Sequence, residues 1–190
     1  MTQVSVQRPA GRTAWWPATQ PWLSTVLRLA LAVIWILAAW PKVTDLDNNI
    51  RSVRAYELGI PDTLVQVIGI GQPFLELVLG LLLIVGLGVR LMSAASALLF
   101  VIYIVGIISV WVRGLRIDCG CFSSGGQLAA GVDPQYAIEI ARDLGFVAIA
   151  VVLVIWPLSK LSVDGLIRHL STSGLTAADL ADGDEDEENE

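Results

Sequence analysis

Residues 22–40 read WLSTVLRLALAVIWILAAW, an apolar run with a single charge, Arg28, and tryptophan at both ends. Trp22 and Trp40 stand 18 positions apart, which is ~27 Å along a helix at ~1.5 Å per residue, close to the hydrocarbon thickness of a bilayer. Tryptophan favours the headgroup level, so both ends of a membrane span are marked. Arg28 is costly in lipid and is expected to face a bundle or to snorkel toward the N-terminal side. Pro41 and Lys42 are expected to close the helix. The composition agrees: 55% of the 190 residues are hydrophobic and 16% charged, with mean hydropathy +0.67, whereas a soluble domain carries about 25% charged residues. The formal net charge of -6 comes from the tail, because eight of the eighteen acids lie between Asp179 and Glu190, leaving ten against twelve Lys plus Arg. So weakly basic a body gives no case for nucleic-acid binding. Two cysteines are too few for a disulfide-dense secreted scaffold or a closed zinc site, and the lone His169 lies far away in sequence.

Three further apolar runs follow. The second lies within Leu64–Gly88 and is interrupted by Gly69, Gly71 and Pro73. A kink is expected near Pro73, with Asp62 or Thr63 as N-cap. Glu76 then falls in the half of the bilayer near the helix start, and Gly80, Gly86 and Gly88 allow close helix approach. Arg90 marks a very short turn, so the third run, about Leu91–Val112, returns as the second arm of an antiparallel hairpin. Its early part, Ser93 to Ala97, is small-residue and suited to packing. The fourth run starts near Ile140, with Arg142 and Asp143 at its mouth, and ends near Trp156. Residues 43–64 read as a mixed connection with a short interfacial helix around Val53, Tyr56 and Leu58, and residues 123–135 read as a loop. The fold expected is all-α, a four-helix transmembrane bundle with both termini on the same side. It divides into a polar lead-in (1–21), a four-pass membrane domain (22–157) and a C-terminal segment (158–190) whose acidic end is expected to be disordered.

Alternating spans bring the end of the first, the start of the second, the end of the third and the start of the fourth to one side. That geometry gathers Lys42, Glu76 and Arg142 with Cys119 and Cys121 toward one face of the bundle, with Arg28 near the other. With the termini inside, Arg8, Arg12, Arg90, Lys160 and Arg168 balance Lys42, Arg51, Arg54, Arg113 and Arg116 outside, so the positive-inside count is even. Two features favour cytoplasmic termini and an extracytoplasmic cysteine loop in the plasma membrane. The first polar segment has two arginines and no acid, and a disulfide-capable pair is most useful on the oxidising side.

That pair lies in Arg116-Ile117-Asp118-Cys119-Gly120-Cys121-Phe122 and holds the only cysteines of the chain. A disulfide across one residue closes a small, strained ring, and strained bonds are the more oxidising and labile ones. Gly120 supplies the backbone freedom such a ring needs. Arg113 and Arg116 would favour a thiolate, and Asp118 opposes it. The alternatives are a pair of inert thiols or a structural turn. Glu76, a carboxylate in an apolar run, reads either as a structural ion pair with Lys42 or Arg142, or as a proton-handling or ligand-binding group.

Several stretches resemble the DoxX-like membrane proteins: Arg28 in the first span, Trp40-Pro41-Lys42-Val43-Thr44-Asp45, Tyr56-Glu57-Leu58-Gly59-Ile60-Pro61, and Pro73-Phe74-Leu75-Glu76-Leu77-Val78-Leu79-Gly80. Cys119-Gly120-Cys121-Phe122 is similar to the signature of the MauE branch, the methylamine-utilisation redox-associated proteins. Arg142-Asp143-Leu144 looks like the Arg-Asn-Leu start of that family's last helix, with Asp in place of Asn. The resemblance covers roughly residues 22–157. It implies a four-helix integral membrane protein that helps form or maintain disulfides in exported proteins, often beside a thioredoxin-fold partner. On this reading Cys119 and Cys121 form the exchanging pair, and Lys42, Glu76 and Arg142 shape the charge around it. With one pair and no cysteine in a span, electrons must pass to another protein or to a quinone held near Glu76 and Arg142. The competing readings are a non-redox membrane scaffold and a quinone- or lipid-binding membrane protein.

Overall fold

The computed structural model describes residues 16–118, 126–128 and 132–157. They form helices α1 (Trp16–Thr44), α2 (Leu46–Ala55), α3 (Asp62–Val85), α4 (Val89–Val112) and α5 (Tyr136–Ile155), with a short ladder of β1 (Ile117–Asp118) and β2 (Gly126–Gln127) before α5. Residues 20–44 of α1 and the whole of α3 and α4 are long and apolar enough to cross a membrane. The fourth long helix, α5, is apolar in its later turns but carries Glu139, Arg142 and Asp143 near its start.

The four long helices pack as two close pairs, α1 along α3 and α4 along α5, joined by lighter α3–α4 and α1–α5 contacts. Gly80 makes the first pairing possible, since a Cβ there would lie 2.9 Å from Ile36 Cγ1 and 3.2 Å from the Ala32 carbonyl oxygen. Gly86 and Gly88 serve the turn rather than helix packing: their φ values of 74° and 59° are left-handed, ending α3 and opening α4. The common core is built from Leu31 and Trp35, Leu79 and Leu83, Phe100, Ala150 and Leu153. Trp35 ties the pairs together. Its ring stacks on Phe100 with centroids 4.4 Å apart, and its Nε1 donates to Ser96 Oγ at 2.9 Å. The outward side chains, among them Leu37, Val67, Leu81, Leu91 and Leu98, are exposed and apolar, as a lipid-facing surface requires.

Three helix boundaries depart from the sequence reading. Helix α1 begins at Trp16, before Trp22, and it continues through Pro41 and Lys42 to Thr44, whose Oγ1 donates to the carbonyls of Trp40 and Pro41. Helix α3 is capped at Pro61 with no side-chain acceptor, and Asp62 instead forms an ion pair with Arg54. It then runs through Pro73 as a single helix. Proline 73 has no N–H to offer the Gly69 carbonyl one turn back, and Asn49 Nδ2 of α2 donates to that carbonyl at 2.7 Å.

At one end of the bundle Ser24 Oγ donates to the Trp156 carbonyl at 2.9 Å, so the start of α1 meets the end of α5. At the other end α2 lies on α3, and a second core gathers Ile107, Val110, Ile117 and Tyr136. Residues 126–127, inside the stretch read as a loop, pair with β1 in an antiparallel register, Ile117 with Gln127 and Asp118 with Gly126.

Candidate functional site

The buried positions of α1 include Arg28, Leu31, Trp35, Ala38 and Lys42, a helical repeat that carries one face inward along the whole helix. Because α1 is not broken at Pro41, Lys42 falls on that face. Along α3 the inward residues are Val65, Gly69, Pro73, Glu76, Leu79 and Leu83, so Glu76 meets Lys42. The Lys42 Nζ lies 2.7 Å from Glu76 Oε1 and 2.9 Å from Oε2, with exposures of 5% and 0%. Two neutral groups complete the carboxylate's shell. Tyr103 of α4 donates its hydroxyl to Oε1 at 2.6 Å, and Gln72 Nε2 donates to the same oxygen at 3.1 Å and to the Tyr103 hydroxyl at 3.1 Å. The ammonium also sits 5.8 Å from the centroid of the Tyr103 ring. Four hydrogen bonds from three side chains fix the carboxylate in place.

Arg142 does not join this pair. Its Nε and one terminal nitrogen contact Asp143 Oδ1, each at 3.0 Å. Asp143 is buried, and its Oδ2 accepts no hydrogen bond among the described residues. Arg142 also lines a cleft of about 310 Å³ with Asp118 and Glu139 beneath the β-hairpin. Arg28 takes the bundle-facing alternative, being only 2% exposed.

Cys119 and Cys121 lie outside the described residues, as does the C-terminal segment from residue 158. The chain on either side of the cysteines is well fixed. The Tyr136 hydroxyl donates to the Leu115 carbonyl at 2.7 Å and accepts from the Ile117 amide at 3.0 Å, pinning β1 one residue before Asp118. Arg113 donates to the Tyr56 and Glu57 carbonyls, and Arg116 to the Val132 carbonyl at 2.7 Å and to Asp133. Both guanidinium groups, expected to favour a thiolate, therefore bind loop groups.

A second cavity, of about 350 Å³, opens beside the Lys42–Glu76 pair. Lys42, Gln72 and Tyr103 border it together with Asn49, Ser52, Tyr56 and Ser109, and its remaining walls are apolar. Sequence reasoning missed Gln72, Tyr103, Asn49 and Ser52. Two signals were available: Gln72 is one turn before Glu76 on the same face, and a tyrosine within an apolar run must find a partner for its hydroxyl.

No solved structure matches the chain. Over 135 residues it is 29% identical to the methylamine utilization protein MauE of Paracoccus denitrificans, covering 70% of this chain and 69% of that protein. Residues 20–156, which contain Lys42, Gln72, Glu76 and Tyr103 of the buried network, match the family described as methylamine utilisation protein MauE, and the chain belongs to that family of membrane proteins.

Proposed function

We propose that this chain is a four-pass protein of the cytoplasmic membrane that serves thiol–disulfide exchange on the extracytoplasmic side, with Cys119 and Cys121 as the exchanging pair and a thioredoxin-fold protein as partner. The observation that carries the reading is the anchored hairpin. Tyr136 and the second core hold β1 firmly up to Asp118, so the segment bearing both cysteines leaves and re-enters a rigid frame at the end of the bundle where the buried charges gather. The Ser24–Trp156 hydrogen bond supports termini on one side, with α5 as the fourth span. The name of the Paracoccus relative supports methylamine utilisation as the process served.

Exchange needs no other group from this chain. A thiolate attacks one sulfur of a disulfide and gives a mixed disulfide between the two proteins, which a second thiolate resolves. The dithiol that is oxidised gives up two electrons and two protons, and the disulfide that is reduced takes them up. Lys42, Glu76 and Arg142 act at a distance, through the potential at that end of the bundle.

The test is the redox state of the two cysteines in cells, read by acid quench and alkylation with a mass-tagged maleimide. The expected result is a disulfide in the wild type and a discrete mixed-disulfide band in Cys121→Ser. Two permanently reduced thiols and no captured protein would sink the proposal in favour of a non-redox scaffold, which should still assemble with its partner when both cysteines are serine.

A further inference from the structure

Helices α3 and α4 are joined by a three-residue turn, Gly86–Gly88, yet they pack only lightly on each other. The space that opens between them away from the turn is held open by α2 and the residues that follow it. On the α3 side, Ile50 comes so close that a Cβ on Gly69 would lie 2.9 Å from its Cα. On the α4 side, the Tyr56 ring lies 3.4 Å from where a Cβ on Gly106 would be. The result is the cavity of about 350 Å³, within the size range of small-molecule sites.

Its two ends differ in chemistry. The inner end carries Lys42, whose ammonium has three N–H groups, of which Glu76 takes two. Gln72 spends both amide hydrogens on Glu76 and Tyr103, which leaves its carbonyl oxygen as an acceptor. The outer end lies between Ile68 on one side and Ile102 and Val105 on the other, side chains that are exposed on the lipid-facing surface. The occupant therefore has an apolar body that arrives from the bilayer and a polar head that accepts a hydrogen bond. Charge narrows the class further. Glu76 neutralises Lys42, and among the described residues no other charged side chain lines the cavity, so an anionic head such as a phosphate would be desolvated without a free counter-charge.

We propose that this cavity binds the ring of a lipophilic quinone, one ring carbonyl accepting from the Lys42 ammonium and the tail leaving between Ile68 and Val105. A quinone ring is flat, neutral and rich in carbonyl acceptors, which matches a space between two helices whose inner end presents the remaining N–H of Lys42. The proposal stands on this geometry and not on the cysteines.

The test uses the purified full-length protein in detergent, with decylubiquinone as the probe and tryptophan fluorescence quenching as the readout. Saturable binding is expected in the wild type and in the Cys119→Ser/Cys121→Ser variant alike. Gly106→Leu, which fills the cavity from the α4 wall, is expected to weaken binding at least tenfold. Ser109→Leu fills it from one turn further along and should do the same, and circular dichroism melting identifies whichever of the two keeps its fold. Unchanged quenching in the folded filled variant would overturn the proposal, because the quinone would then be dissolved in the micelle. Equal displacement of the probe by a lysophosphatidylglycerol would also overturn it, since the cavity would then be a lipid site.

Discussion

Glu76 receives four hydrogen bonds in the interior of a membrane protein, and Lys42 supplies two of them. Removing one member of a buried ion pair leaves the other charge uncompensated, so Lys42→Met is expected to destabilise the protein by about 3–5 kcal/mol. Adding Glu76→Gln removes the stranded charge while keeping a carbonyl for the Tyr103 hydroxyl, and should recover ~1–3 kcal/mol of that loss as a coupling energy. Unfolding of the two single variants and the double variant in mixed detergent–SDS micelles measures the cycle, and strictly additive costs would mean that the two residues do not act as a pair. The partnership of Lys42 with Glu76 was legible from the alternation of spans, because both sit at helix ends or halves that share a side. The separation of Arg142 was not. Its adjacent Asp143 competes for it at 3.0 Å, and a sequence reading has no measure of which carboxylate a flexible guanidinium will reach.

Among the helices, α2 has the least to hold it and the most specific attachment. It is ten residues long, too short to be stable alone, and the Asn49 side chain fixes it to α3 through the carbonyl that Pro73 leaves without an N–H. Asn49→Ala should cost about 1–3 kcal/mol, the penalty of a buried acceptor left without its donor. Pro73→Ala restores an N–H one turn after Gly69, so Asn49→Ala should become nearly neutral in that background. Equal costs of Asn49→Ala with and without Pro73 would refute the link. Thermal unfolding in detergent, followed by circular dichroism, decides between them. The four long helices were legible in place and order, with starts up to six residues off at α1, because hydropathy over a whole span outweighs any local signal. The short elements were harder to see. Pro41 was read as a helix end, although a proline near a C-terminus costs one hydrogen bond and burying Lys42 against Glu76 compensates for it. The β1–β2 ladder leaves almost no trace in composition, since it is two residues long on each side and depends on Tyr136 from another element.

For the molecule as a whole, sidedness is the property on which the proposed chemistry depends. The two cysteines are the only ones in the chain, so labelling reports their location without background. After mild reduction of intact cells, a membrane-impermeant maleimide should modify the wild type and leave the Cys119→Ser/Cys121→Ser variant unlabelled. An epitope fused to the C-terminus should be reached by antibody only after the membrane is opened. Labelling that itself requires permeabilisation would invert the orientation and remove the oxidising environment from the mechanism.

The Lys42–Glu76 pair also bears on biogenesis. A chain inserted from its N-terminus presents α1 to the bilayer before α3. Lys42, near the end of α1, has a stem long enough to keep its ammonium among the headgroups while it waits. Glu76 has no such refuge, because it sits well inside α3 with only Gln72 as a polar neighbour one turn before it, and a lone carboxylate there costs several kcal/mol. An α1 already in place offers Lys42 to that carboxylate and lowers the cost, so the earlier helix eases the entry of the later one.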